Sequence, residues 1–446
     1  MVVWEIDWRA PHAAFAPLAG EAHAHLLHGG DLCAAAEWSI IVAFPQEIVA
    51  ADAQDDPFPA LQRLIDKRAA ADASAGRLPF ASGFVGYAGY EAARFIEPSL
   101  DLPPATTGSP DLVFGYYEAA ALFSRRTRRA YVAGRDAGAC GRLRDALGDG
   151  AASEPAAPLF GPLASNFLPR RYADAVRRVI DDILDGEYYQ ANISHRISAV
   201  ADEPVDAFDL FRRTAARSDA AFGALLQYEH GAVLSNSPER FFRVSPEGDV
   251  RRIVTEPIKG TRPRGGTPEA DARLAAELTG DPKDRAENVM IADLMRNDLS
   301  KICLDASIRE EAICELLTLA NVHHLVSRVS GELRADVSFT DVLRALFPCG
   351  SVTGAPKIAA MKAIAEVERV GRGPYCGAVG YIDDRGGADF AVAIRTMTLS
   401  EGGRRLTAPV GGGVTLRSDP LKEYQETIHK AEGALASIDK SSEALL

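Results

Sequence analysis

No Cys-x-x-Cys pair occurs. The six cysteines stand apart at positions 33, 140, 303, 314, 349 and 376, which removes the usual spacing signals for zinc or a redox couple and fits a reducing compartment. Uninterrupted apolar runs of membrane-spanning length are also missing, so a soluble chain is expected. The opening stretch Met1-Val2-Val3-Trp4-Glu5-Ile6-Asp7-Trp8 is acidic where an export leader would be basic and then apolar, which predicts a cytoplasmic protein. Positive charge is short, 49 Lys plus Arg against 62 Asp plus Glu, for a net charge of -13. Nucleic acid and anionic membrane surfaces are therefore poor partners, and an anionic substrate must be met by local cations or a metal. There is no internal repeat and no low-complexity segment.

What is present is enough for a large core. The chain has 446 residues, 47% of them hydrophobic, which is long enough for more than one domain. Residues 1–146 mix short β-like runs with a few helical ones. Residues 112–123 and 130–132 read as hairpin strands around the basic turn 124–129. Residues 147–165 are rich in Gly, Ala, Pro and Ser and read as a connector. Beyond them, residues 172–184 have the spacing of an amphipathic helix closing at Asp185-Gly186. A strand leads out of Gln190, strands in a meander cover 222–244, and residues 251–258 form a strand that delivers Lys259. Helices follow over 268–300 and again up to 370, and strands precede a C-terminal helix. This order predicts an α+β fold with antiparallel sheets covered by helices.

Several constellations carry candidate chemistry. Lys259, in Glu256-Pro257-Ile258-Lys259-Gly260-Thr261, is a lone cation ending an apolar strand; it is either a solvated strand end or a nucleophile at a pocket mouth. Asp284 and Glu287 share one face of a predicted helix, and Glu423, Glu426 and Lys430 share a face of the last one, which Ser418-Asp419-Pro420 opens. Two carboxylate pairs suit an oxygen-ligated Mg2+, and either pair alone also reads as a solvated helix face. Gly411-Gly412-Gly413 can expose backbone N–H groups to an anion, or form a plain turn. Arg395 sits in an apolar strand and needs a partner, either a bound carboxylate or a structural Asp or Glu. His323-His324 and the turn from Gly350 to Lys357 are further candidates.

Together these segments resemble the chorismate-utilising enzymes, which include the anthranilate, aminodeoxychorismate, isochorismate and salicylate synthases. The resemblance runs over residues 167–436. It passes through Ser237-Pro238-Glu239-Arg240, Lys283-Asp284-Arg285-Ala286-Glu287, residues 293–298 and 350–357, Ala393-Ile394-Arg395-Thr396, the triple glycine and Glu423-Tyr424-Gln425-Glu426-Thr427. It implies two antiparallel β-sheets packed as a sandwich with helices outside. It also implies an N-terminal lobe over 1–146, a connector over 147–165 and a chorismate-binding catalytic domain over 166–441.

By the same resemblance, Glu287 and Glu423 look like Mg2+ ligands with Asp284 and Glu426 in support. Arg395, Tyr381, Lys430 and the amides of Gly411, Gly412 and Gly413 look like receivers of substrate carboxylates. His324 and Thr353 line the ring site, and Glu239 resembles the general acid for the departing C4 hydroxyl. Gln190 replaces the water-activating lysine of isochorismate and salicylate synthases. Lys259 replaces the alanine of anthranilate synthases and matches the Pro-Ile-Lys-Gly-Thr of aminodeoxychorismate synthases, whose lysine attacks C2 before ammonia adds at C4. Ammonia is then expected from a separate glutaminase subunit, since no Gly-x-Cys-x-Gly turn is present. Anthranilate formation, and a chorismate-binding subunit without activity, are the alternatives. His25-Leu26-Leu27-His28-Gly29 lacks the Leu-Leu-Glu-Ser element, so tryptophan inhibition is not expected.

Overall fold

The computed structural model describes residues 1–30, 37–51, 55–69, 78–105, 108–149, 153–217, 220–229, 231–319 and 322–445. Cys33 and residues 150–152 of the connector lie outside them. Among the described residues the strands form two antiparallel sheets, one of 12 strands and one of 10. This is the α+β architecture expected, with helices on both outer faces and no helix long and apolar enough to cross a membrane.

Period-two patterning explains the layering. Ile40, Val42, Val85, Tyr87, Leu226, Val233 and Val379 point between the sheets and pack against one another. Helices Phe58–Arg68, Pro282–Ser300 and Phe339–Leu346 cover the far face of the 10-stranded sheet. Helices Ala137–Ala146 and Ala207–Arg217 cover the far face of the 12-stranded one. A third layer sets helices Pro169–Leu184, Lys357–Glu368 and Pro420–Ser437 against strands Gln190–Val200 and Arg405–Val414.

Residues 1–146 and 166–441 share both sheets, each contributing one contiguous block of strands to each. Strand His25–His28 pairs with Phe222–Tyr228 in the larger sheet, and Gly83–Ala88 pairs with Ala378–Asp383 in the smaller. Each stretch thus covers strand edges that the other would leave open.

The stretch 112–123, read as one hairpin strand, is two. Leu112–Tyr117 belongs to the smaller sheet and Ala119–Ser124 to the larger, with the crossing at Glu118. Two further crossings matter for function. The chain leaves the larger sheet after Gly231–Ser237 and enters the smaller at Arg240–Glu247; it returns from Ala388–Val392 to Thr396–Ser400. These crossings lie side by side, Val392 N donating to Glu239 O and Asn236 N to Arg395 O, both at 3.1 Å. Apolar strands can switch sheets only where the backbone bends, and Pro238 and the left-handed Arg395 (φ +50°) stand at those bends.

Candidate active site

Glu239 is placed by the first crossing and is 3% exposed. Burial pushes its pKa up to about 7, opposed by a hydrogen bond from the Ser351 side chain, by the charge of Lys259 and by the Ile258 N–H. The Ile258 N–H lies 3.5 Å from the carboxyl. Lys259 follows on strand Ile258–Pro263, half-buried, its Nζ 3.2 Å from the Ser351 carbonyl oxygen.

Lys259 also meets the larger sheet. A Cβ built on Gly413 would stand 2.8 Å from Gln190 Nε2 and 3.4 Å from Lys259 Nζ. Any side chain at 413 would displace the Gln190 amide. Gln190 is fully buried and neither atom of its amide has a hydrogen-bond partner. An amide in that state, beside an amine and a carboxyl, marks a place built to receive polar groups from outside the chain.

The triple glycine lies within strand Arg405–Val414, not in a turn, paired with Ser194, Ile193 and Asn192. Ser194 N is spent on Glu368 and Asn192 N on Thr353 O, so the hydrogen-bonded pair is Gly412 with Ile193. By alternation the N–H groups of Gly411 and Gly413 face the strand's other edge, where no strand is registered among the described residues. Lys430 reaches that edge, donating to Gly411 O at 3.1 Å and pairing with Glu426 at 2.7 Å.

The four carboxylates come from two capped helices. Asp281 accepts from Lys283 N and Asp284 N to start Pro282–Ser300, and Asp419 accepts from Leu421 N and Lys422 N to start Pro420–Ser437. Glu423 is buried, its Oε2 3.3 Å from a Cβ on Gly412. Burial raises the pKa of Glu423 and of Glu287, and each also feels the negative charge of Glu426. Glu426, exposed to solvent, is held below its usual range by Lys430 against a desolvation that would raise it.

The donor set tests as follows for a divalent cation. Glu287 Oε1 is buried with no hydrogen-bond partner, and Lys283 stands 3.8 Å from it, an ammonium answering the charge of these carboxylates. Asp284 is bound instead by Arg262 at 3.0 Å. Among the described residues no three such side chains stand at ligand spacing. Hard oxygen donors nevertheless fit Mg2+ in chemistry, through Glu287, Glu423 and Glu426.

Arg395 is half-buried and, among the described residues, has no carboxylate partner; burial lowers its pKa. Its charge reaches His324, which burial and Arg395 push down to about 4. That ring is therefore neutral at pH 7. Its Nδ1 contacts Thr261 Oγ1 at 2.9 Å and its Nε2 is buried and unpaired. Thr353 is buried too, its hydroxyl donating to Cys349 O at 3.0 Å.

Tyr381 stands apart. It pairs across strands with Val85 and Asp389, its ring lies edge-on to Phe80 at 5.2 Å, and it packs on the core between the sheets. The charges that reach it are those of Asp389, Asp383, Arg240 and Arg243. Residues not singled out from sequence enter instead: Ser351, and the buried pair Arg372–Glu368 at 2.6 Å. Arg372 donates to Val352 O and Asn192 O, beneath the turn that carries Ser351. An arginine inside Gly371-Arg372-Gly373-Pro374 was the available signal.

The sequence profile described as "chorismate binding enzyme" matches residues 29–436. This chain belongs to that family. It is 34% identical over 453 residues to aminodeoxychorismate synthase component 1 of Salmonella typhimurium, with 97% of each chain covered. It is 39% identical over 279 residues to anthranilate synthase component 1 of Synechocystis sp., covering 62% of this chain and 54% of that one. The crystal structure of anthranilate synthase component I from Streptococcus pneumoniae superposes with a TM-score of 0.77 at 28% identity, covering 90% of this chain and 92% of the other. Family membership makes this chain a chorismate-utilising enzyme, and chorismate is a dianion.

Proposed function

We propose that this chain is the chorismate-aminating component of an aminodeoxychorismate synthase, working in the cytoplasm with a separate glutaminase subunit that supplies ammonia. The observation that carries the reading is the setting of Lys259: an amine beside a buried carboxyl of raised pKa and an unpaired amide.

The chemistry follows from these groups. Arg395 takes the enolpyruvyl carboxylate in a bidentate pair. The N–H groups of Gly411 and Gly413, with Lys430, serve the ring carboxylate, whose charge a Mg2+ held by Glu287 and Glu423 would also neutralise. Neutral Lys259 attacks C2, the two ring double bonds shift, and the C4–O bond breaks. Glu239 gives its proton to the departing hydroxyl, which leaves as water. Ammonia then forms a bond to C4, the double bonds shift back, and the C2–N bond breaks to return the lysine amine. The Glu239 carboxylate takes the surplus proton from the new ammonium, so chorismate and ammonia become 4-amino-4-deoxychorismate and water. That product leads to 4-aminobenzoate and folate.

Anthranilate formation is the second reading, favoured by the likeness to anthranilate synthases; it loses pyruvate and has no use for an amine at 259. Incubation of the purified chain with chorismate, Mg2+ and ammonium, with mass analysis of products, separates the two. Aminodeoxychorismate is the expected product, and anthranilate as the main one would reject the proposal.

A further inference from the structure

Glu239 and Lys259 come from different elements, and one residue touches both. Ser351, on the Gly350–Val352 turn, accepts from Lys259 Nζ at 3.2 Å through its carbonyl, and its hydroxyl, 3.3 Å from Cys349 Sγ, acts on the Glu239 carboxyl to favour its charged form. We propose that Ser351 is a positioning residue that holds the acid and the nucleophile in one frame, its hydroxyl orienting the Glu239 carboxyl and its carbonyl the Lys259 amine.

The frame is itself fixed. Arg372 donates to Val352 O at 3.0 Å, and the Thr353 hydroxyl donates to Cys349 O at 3.0 Å. The backbone on both sides of Ser351 is therefore held by buried hydrogen bonds, which fix the place of its carbonyl and of its Cβ. A carbonyl orients an amine without taking a proton from it, so Lys259 keeps its lone pair for substrate once it is neutral. The titratable groups facing Glu239 are Lys259 from its strand and the Cys349 thiol from the turn; Cys349 Sγ lies 3.3 Å from Ser351 Oγ.

A hydroxyl that donates to a carboxyl favours the charged form, so its removal makes Glu239 keep its proton to higher pH. This deepens the assignment of Glu239 as acid and Lys259 as nucleophile and rests on it, while the test reads the carboxyl directly. In the full chain without substrate, pH-difference infrared spectroscopy follows the carboxylic C=O band that Glu239→Gln removes. Ser351→Ala should move its midpoint up by about one pH unit, the size expected of one hydrogen bond to a charged group. Ser351→Thr, which keeps the hydroxyl, should restore it. An unmoved midpoint in Ser351→Ala overturns the proposal. Ser351→Cys, a weaker donor, supplies a smaller upward shift should the alanine variant fold poorly, and an unmoved midpoint there overturns it equally. Product analysis on the same samples judges the aminodeoxychorismate reading separately, because the midpoint does not depend on which product forms.

Discussion

At the scale of single residues, the site is a set of buried or half-buried polar groups, and Glu239 defines the first prediction. Glu239 has an ordinary carboxyl value of 4.5 raised to about 7. The folded state therefore binds a proton that the unfolded chain has already released across that interval, so this group's contribution to stability falls as pH rises from about 4.5 to 7. Glu239→Gln should flatten that part of the stability profile, with a gain on the order of 2–3 kcal/mol at pH 8 relative to pH 4, measured by urea unfolding. The same variant should lose the basic limb near pH 7 from the pH–rate profile, since the acid form is the working one; a retained limb would assign the acid elsewhere. Lys259 and Glu239 were visible in sequence because motif order singles out such residues. Tyr381 packs against the core between the sheets, and only the direction of a side chain, which period-two patterning does not give, tells a site from a core. Ser351 was hidden for a related reason, since half of its contribution is a backbone carbonyl.

At the scale of elements, helices were legible and sheet crossings were not. The 172–184 periodicity corresponds to helix Pro169–Leu184, followed by Gly186 at φ +87°, and Asp419 caps the last helix as its position suggested. Period-two patterning, by contrast, says that a strand has two faces and not which sheet it joins, so Glu118, Pro238-Glu239 and Arg395 gave no sign that the chain changes sheets there. The crossings set the backbone of Glu239 beside Val392 and that of Arg395 beside Asn236, so element geometry places both residues. Caps matter in the same way. Asp281→Ala removes two hydrogen bonds that start helix Pro282–Ser300 and a 3.0 Å ion pair with Arg262. It should cost about 1 kcal/mol of stability and weaken Mg2+ binding measured by calorimetry, because the first turns carry Glu287. Unchanged affinity would separate Glu287 from the cation.

At the scale of the whole molecule, the two sheets bind residues 1–146 and 166–441 into one structure. A protease site engineered into the exposed connector at 153–159 should yield two fragments that co-elute after cleavage, retain chorismate binding and unfold in one transition; fragments that separate under native conditions would contradict the shared sheets. Everything the molecule builds converges on one atom, Lys259 Nζ, set between strands of both sheets. The most direct measurement is the mass of the intact chain after exposure to chorismate and Mg2+ with ammonia withheld. The account predicts a covalent gain equal to chorismate less water, mapped by peptide digestion to Lys259, discharged by ammonium and absent from Lys259→Ala. A Lys259→Ala chain that still makes aminodeoxychorismate at the unaltered rate would contradict it.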